Sequence, residues 1–263
     1  MTSGATNRPR VALFVTCLVD LMRPSVGFAA VRLLEAAGCA VDVPTAQTCC
    51  GQPAYNNGDC ASARMLAKQT IAACEGFDYV VAPSGSCAAM LKLHYPRLFA
   101  GDAAMERRAR AFAERVYELT SFLVDVRKLK AVPGRYSGRV ACHDGCSGLR
   151  ELGIARQPRA LLAAVEGLEL VELADAQSCC GFGGLFSVKF PDISNAIAAR
   201  KTAAIAAATP SLLVSGELGC LMHLAGKLKR DASAIPCRHI AEVLDGEMRA
   251  PAIAHGPSRG GVP

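Results

Sequence analysis

Cys179-Cys180-Gly181-Phe182-Gly183-Gly184 and its earlier echo, Cys49-Cys50-Gly51-Gln52-Pro53, decide how this chain is read. Adjacent cysteines followed by glycine are rare, and here the pair occurs twice in 263 residues, each time inside a similar frame of further cysteines. Cys17 precedes Cys49 by 32 residues and Cys146 precedes Cys179 by 33, while Cys87 follows Cys50 by 37 and Cys220 follows Cys180 by 40. Repetition at this spacing marks an internal duplication. The halves, 1–132 and 133–263, meet at Pro133-Gly134.

The hydrophobic pattern around the frames agrees. Arg10 to Thr16 is an apolar run without polar alternation, the mark of a strand covered on both faces. Pro24 and Ser25 open a helix to about Ala37, with Val26, Ala29, Ala30, Leu33 and Leu34 on one side and Gly38 as its stop. Ala40 to Val43 reads as a strand, Asp59 to Glu75 as a helix, Tyr79 to Ala82 as a strand, and Cys87 heads the next helix. Helical segments from Ala103 to Lys130 lead into the second half. There the strands are Arg139 to Cys142, Leu168 to Leu173 and Ser211 to Ser215. Its helices are Arg156 to Glu166, Pro191 to Ala208, and one opened by Gly219-Cys220. Strands alternating with helices predict an α/β protein of two homologous halves, each a small, mainly parallel sheet with crossover helices. Residues 1 to 9 and the tail from Arg249 read as flexible.

Composition narrows the function. The chain is 51% hydrophobic and 20% charged, and its net charge of +6 is spread in short helical groups. With no Trp and 5% aromatics, it lacks the basic, aromatic-interleaved stripe of a nucleic-acid binder. No run reaches the roughly 18 to 20 apolar residues of a membrane span. Arg8 and Arg10 before Val11 to Val19 imitate a signal peptide, but Asp20 and Arg23 close the run and no small-residue cleavage site follows it. The expected location is cytoplasmic. There, thirteen cysteines point to metal ligation or redox work and not to a disulfide framework, and the odd total agrees.

In an open parallel sheet, functional groups gather beyond the carboxyl ends of the strands, where the strand order reverses. Cys17, Cys49-Cys50 and Cys87 follow three successive strands, and Cys146, Cys179-Cys180 and Cys220 do the same. Four thiols can therefore converge in each half. The glycines let the backbone turn sharply beside an anionic centre, and helix N-termini at Cys87 and Cys220 favour thiolate. Soft sulfur ligands select zinc or iron–sulfur clusters. Structural zinc favours cysteines two to four residues apart; adjacent cysteines suit a centre with several iron atoms, where each sulfur serves a different iron. The ferredoxin run ending in Cys-Pro is absent, and Gly181-Phe182-Gly183-Gly184 does not complete a nucleotide fingerprint. The candidate ligands are Cys17, Cys49, Cys50, Cys87, Cys146, Cys179, Cys180 and Cys220. A zinc-stabilised scaffold and a thiol–disulfide reductase working through vicinal disulfides stay open beside the cluster.

Other polar residues weigh less. Cys39, Cys60, Cys74 and Cys237 have no partner across the repeat and read as core or surface residues. Cys142 is a spare ligand or, like its counterpart Leu13, an ordinary strand residue. His143 orients a cluster, passes a proton or caps a strand end. His94, His223 and His239 read as structural; Asp144, Glu217 and Lys189 lie close enough to the frames to tune their charge.

The frames resemble the cysteine-rich CCG domain found twice in one of the subunits of heterodisulfide reductase and in the glycolate oxidase iron–sulfur subunit. Cys17-Leu18-Val19-Asp20, Gln47-Thr48-Cys49-Cys50-Gly51-Gln52-Pro53-Ala54-Tyr55, Pro83-Ser84-Gly85-Ser86-Cys87 and Gly219-Cys220-Leu221-Met222 are similar to the lactate utilization protein A family, over residues 10 to 246. That resemblance implies a cytoplasmic iron–sulfur component, of 4Fe-4S type with one or two clusters per chain. It would relay electrons with partner subunits of a complex oxidising L-lactate to pyruvate. The fuller CCG pattern ends in Cys-x-x-Cys, whereas here Ser84 and Glu217 stand at the first of those positions. Disulfide-cleaving activity is therefore not carried over.

Overall fold

The computed structural model describes residues 8–255. The first half forms strands β1 (Arg10–Leu13), β2 (Ala40–Asp42), β3 (Tyr79–Ala82) and β4 (Val116–Glu118); the second forms β5 (Arg135–Cys142), β6 (Glu166–Val171), β7 (Leu212–Ser215) and β8 (Cys237–His239). Each half is one four-stranded, wholly parallel sheet, ordered β2-β1-β3-β4 and β6-β5-β7-β8. The two similar halves and the α/β class are as the repeat requires.

β1 and β3 are central strands, and Val11, Ala12, Leu13, Val80, Val81 and Ala82 are fully buried, which is why their sequences lack alternation. β1 still sorts its residues by face. Ala12 and Phe14 pack into a core whose buried residues all belong to the first half, with Leu152 of the second half packed against it, whereas Val11 and Leu13 join a larger core that continues into β5, β7 and the helix Ile240–Asp245. The helix Pro24–Ala36 buries the predicted stripe of Val26, Ala29, Ala30, Leu33 and Leu34 in that larger core. It packs on Ile240–Asp245, where Arg23 Nε donates to both oxygens of the buried Glu242 at 2.9 and 3.0 Å and Ser25 Oγ at 2.7 Å.

Several expectations need correction. Helix does not run from Ala103 to Lys130: it stops at Glu114, β4 intervenes, and helical turns resume from Leu119 to Val126. β1 ends at Leu13, although the Phe14 amide still donates to Val81 O at 2.8 Å. The helix expected to reach Glu166 ends at Leu162, because Glu166 pairs with Arg135 at the start of β6. Of the N-terminal stretch read as flexible, residues 1–7 lie outside the described residues; Pro9 is fixed by accepting from the Ala40 amide at 3.0 Å. Of the tail, residues 256–263 lie outside them as well, while Ile253 is buried and bridges antiparallel to Cys237.

The order 2-1-3-4 places the reversal of connection between β1 and β3, and its counterpart between β5 and β7. The crevices beyond these carboxyl ends are where such sheets bind ligands. The helix Cys17–Met22 leaves β1, and the helix Gly85–Ala89 leaves β3; Cys146–Leu152 and Leu218–Arg230 leave β5 and β7. These four helices pair across the halves, Gly85–Ala89 on Cys146–Leu152 and Cys17–Met22 on Leu218–Arg230. The first pairing is close: a Cβ on Gly85 would lie 2.8 Å from Gly148 Cα.

Candidate metal centres

In the first half, Cys17 opens its helix after Thr16, whose side chain caps the Val19 amide at 3.4 Å and whose φ of 75° is left-handed. The loop carrying Cys49 is fastened to the end of β1 by Gln47. Its Oε1 accepts from the Val15 amide at 2.8 Å and its Nε2 donates to Leu13 O at 3.0 Å, replacing the strand neighbour that β2 has ceased to provide. Cys17 Sγ then stands 3.9 Å from Cys49 Sγ. Cys50 is buried, its carbonyl accepting from Tyr95 O–H at 3.0 Å, and Cys87 joins from the helix after β3, its amide capped by Ser84.

Two thiols lean on Cys49. Contacts from Cys17 and Cys50 pull its pKa down to about 2, with the Gly51 amide 3.4 Å from the sulfur adding to the effect. Cys17 is correspondingly held well above the ordinary thiol range by its bond to Cys49 and by burial. Cys50 is raised by bonds to Cys49 and Cys87 and by burial. The second half repeats the pattern: Cys179 falls to about 2 through Cys146 and then Cys180, and those two are raised, Cys180 also through Cys220. The amides of Gly181 and Phe182 point at Cys179 Sγ and Cys180 Sγ at 3.3 and 3.4 Å. All eight predicted cysteines thus gather into two groups of four, in which Cys49 and Cys179 are the thiols pushed toward thiolate.

The glycine after each pair is required by its backbone. Gly51 and Gly181 have φ of 84° and 90°, and a Cβ on Gly181 would come within 2.5 Å of Ser194 O. Ser194 Oγ also donates to Gly181 O at 2.8 Å. Lys201 was missed by sequence reasoning. It is fully buried and donates to the carbonyls of Asp175 and Ala176, tying down the loop that delivers Cys179. Its only sequence signal was a lone lysine at Arg200-Lys201 in an alanine-rich helix.

The two positions where the fuller CCG pattern has another cysteine meet across the halves. Ser84 Oγ donates to Glu217 Oε2 at 3.1 Å, and Ser86 donates to the same carboxylate through its amide at 2.6 Å and its hydroxyl at 2.9 Å. Burial lifts Glu217 to about 7 despite these bonds. Asp144 is held by Arg159 at 2.9 Å, and Lys189 by Asn57 at 2.6 Å across the halves. Cys39, Cys74, Cys142 and Cys237 are buried, and Cys60 is exposed. His94 pairs with Glu151 and His239 caps its helix, as structural residues do. His143 is 1% exposed, at the edge of the second quartet, with neither ring nitrogen hydrogen-bonded among the described residues.

Two groups of four soft sulfur donors, each reached by backbone N–H groups, fit a thiophilic metal or an iron–sulfur cluster; Cys17, Cys49, Cys50 and Cys87 would hold one, and Cys146, Cys179, Cys180 and Cys220 the other. Fold and cysteines define a tandem cysteine-rich protein, and the family described as "CCG: Cysteine-rich domain" matches residues 11–92 and 140–225. Lactate utilization protein A of Geobacillus sp. (strain WCH70) is 49% identical over 236 residues, covering 90% of this chain and 99% of the relative. The protein of the same name from Geobacillus kaustophilus (strain HTA426) is also 49% identical, over 90% of this chain and 98% of its own. Lactate utilization protein A 2 of Bacillus cereus (strain AH820) is 43% identical over 89% of this chain and 97% of its own. The chain belongs to the CCG cysteine-rich domain proteins and, within them, to the lactate utilization protein A family. Among the described residues, no helix is long and apolar enough to cross a membrane.

Proposed function

We propose that this protein is an iron–sulfur electron-transfer subunit of a cytoplasmic complex that oxidises L-lactate to pyruvate. Residues 1–132 and 133–263 would form its two cysteine-rich domains, with one centre of 4Fe-4S type in each. The observation that carries the reading is the convergence of four thiols at each sheet's point of reversal, in a chain whose relatives bear the name lactate utilization protein A. A bound cluster would supply storage and transfer of single electrons. The chain's own part is to hold the thiolates, direct amide N–H groups at their sulfurs and bury their inner side. Removal of hydride from lactate is left to a partner subunit, and electrons pass between partners through this chain.

Anaerobic purification tests it. The expected product is brown, with several irons and matching acid-labile sulfide per chain, and deleting its gene abolishes growth on L-lactate as sole carbon source. Colourless protein holding about one zinc per half would replace the cluster with a structural scaffold. A second reading is favoured by one contact, Cys17 Sγ at 3.9 Å from the low-pKa Cys49. In it the Cys49 thiolate attacks a substrate disulfide and expels one thiolate, which takes the Cys17 proton; Cys17 then attacks Cys49 Sγ and displaces the second thiolate to leave a Cys17–Cys49 disulfide. Metal-free protein whose thiols cycle with a disulfide substrate would support that reading.

A further inference from the structure

The two halves differ at the position three residues before the lead cysteine. Phe14 and His143 occupy equivalent places, each three residues before the lead cysteine and each donating its amide to the neighbouring central strand, to Val81 O and Val214 O at 2.8 Å. Phe14 is a buried phenyl ring in the core of the first half. In the second half an imidazole stands there, 1% exposed, with Nδ1 and Nε2 both without a hydrogen-bond partner among the described residues. Leaving a buried polar group unpaired is costly, so packing alone would favour phenylalanine here too. A ring nitrogen of His143 and the sulfurs of Cys180 and Cys220 all lie within 4.8 Å of one another. Three donor atoms this close can serve one metal ion or adjacent irons of one centre.

We propose that His143 is a nitrogen ligand of the second centre, which therefore has mixed imidazole and thiolate ligation, while the first centre is held by thiolates alone. This rests on the reading that the quartets hold metal. A ligating histidine gives its other N–H to an outer partner. His143 also lines a cavity of about 30 Å³ with Glu118, Thr120, Asp144 and Glu217, which has room for a water to accept a hydrogen bond from that N–H. Where neutral imidazole takes the place of a thiolate, the centre carries one negative charge fewer, and such replacement raises cluster potentials. The two centres then differ in potential within one chain, the second being the stronger electron acceptor.

Pulsed EPR of the anaerobically purified, reduced protein tests the ligand directly, comparing protein grown with natural and with ¹⁵N-labelled histidine. The expected result is a strongly coupled nitrogen that changes with the histidine isotope and disappears in His143→Phe, a variant that gives the second half the ring Phe14 supplies in the first. In a redox titration of that variant, one of two midpoint potentials falls and the other stays. Iron at the wild-type level with no isotope-dependent coupling and both potentials unchanged in His143→Phe would overturn the inference and leave the cluster reading standing. The isotope comparison needs no variant, so misfolding of His143→Phe does not blur it. If wild-type protein holds no iron, the cluster reading fails, and Co²⁺ titration of the metal-free chain decides the ligand: tenfold or more weakening of one binding event in His143→Phe supports it. No cobalt binding, or equal affinity and equal spectra in both proteins, overturns it.

Discussion

Gly51→Ala and Gly181→Ala place the same methyl group at equivalent turns and should have unequal effects. Both glycines are left-handed, at φ of 84° and 90°, and forcing an L-residue into that region costs about 1–2 kcal/mol. At Gly51 that is the whole cost, since the nearest atoms to the new Cβ, around Ala63 and Leu66, are 3.6 Å away in ordinary contact. At Gly181 the Cβ falls 2.5 Å from Ser194 O and 3.3 Å from the Ala198 amide nitrogen, backbone atoms of a helix that cannot move independently. Overpacking of this kind adds about 1–3 kcal/mol, bringing Gly181→Ala to about 2–5 kcal/mol. The helix is also the one whose Ser194 and Lys201 hold the cysteine loop, so any shift moves Cys179 and Cys180. Urea unfolding of the metal-free variants under anaerobic conditions gives the two energies, and iron retention after mild chelation reports the centres. Gly181→Ala is expected to be the less stable of the two and to lose iron faster. Equal destabilisation, or a larger loss in Gly51→Ala, would refute the reasoning from local crowding.

Cys50→Ser and Cys180→Ser should each lower iron by up to half, the share of its own quartet; unchanged iron in both would contradict the ligand assignment. Glu217 is an acid whose folded pKa, about 7, lies above its ordinary value of 4.5. Its neutral form therefore favours the fold fully below about pH 4.5, and that contribution is lost as pH rises to about 7, by about 3 kcal/mol. Unfolding free energies across this range should decline in the wild type and flatten in Glu217→Gln. Arg23→Ala strands the fully buried Glu242 without its cation and is expected to cost about 3–5 kcal/mol in the same assay; a cost below about 1 kcal/mol would show that Ser25 and water suffice.

What the sequence carried well was what local pattern encodes. Central strands such as Tyr79–Ala82 are continuous apolar runs, and the cysteines sit at their ends, so the quartets could be assembled from spacing and the rule for parallel sheets. The edge strands β4 and β8 escaped because each has only three residues and carries charge inward, Glu118 in one and Arg238 in the other. Register with a neighbour makes them strands, and a short window does not contain the neighbour. Ser84 and Glu217 were visible only as departures from a pattern. Their contact joins residues 133 apart in sequence, and no periodicity announces a bond between two halves. Lys201 stayed hidden because a lysine in an alanine-rich helix normally faces water.

The sorting of β1 by face has a consequence for how the duplication works as matter. Ala12 and Phe14 serve an interior that the first half owns, whereas Val11 and Leu13 serve one that both halves must build together. The repeat is therefore visible in the text of the chain but not separable in its mechanics: a half severed from its twin would open an apolar face to water. Each set of cysteines stands on helices braced by the other half, through Gly85 against Gly148 and Ser84 against Glu217. A movement of one set of cysteines would therefore press on helices that carry the other.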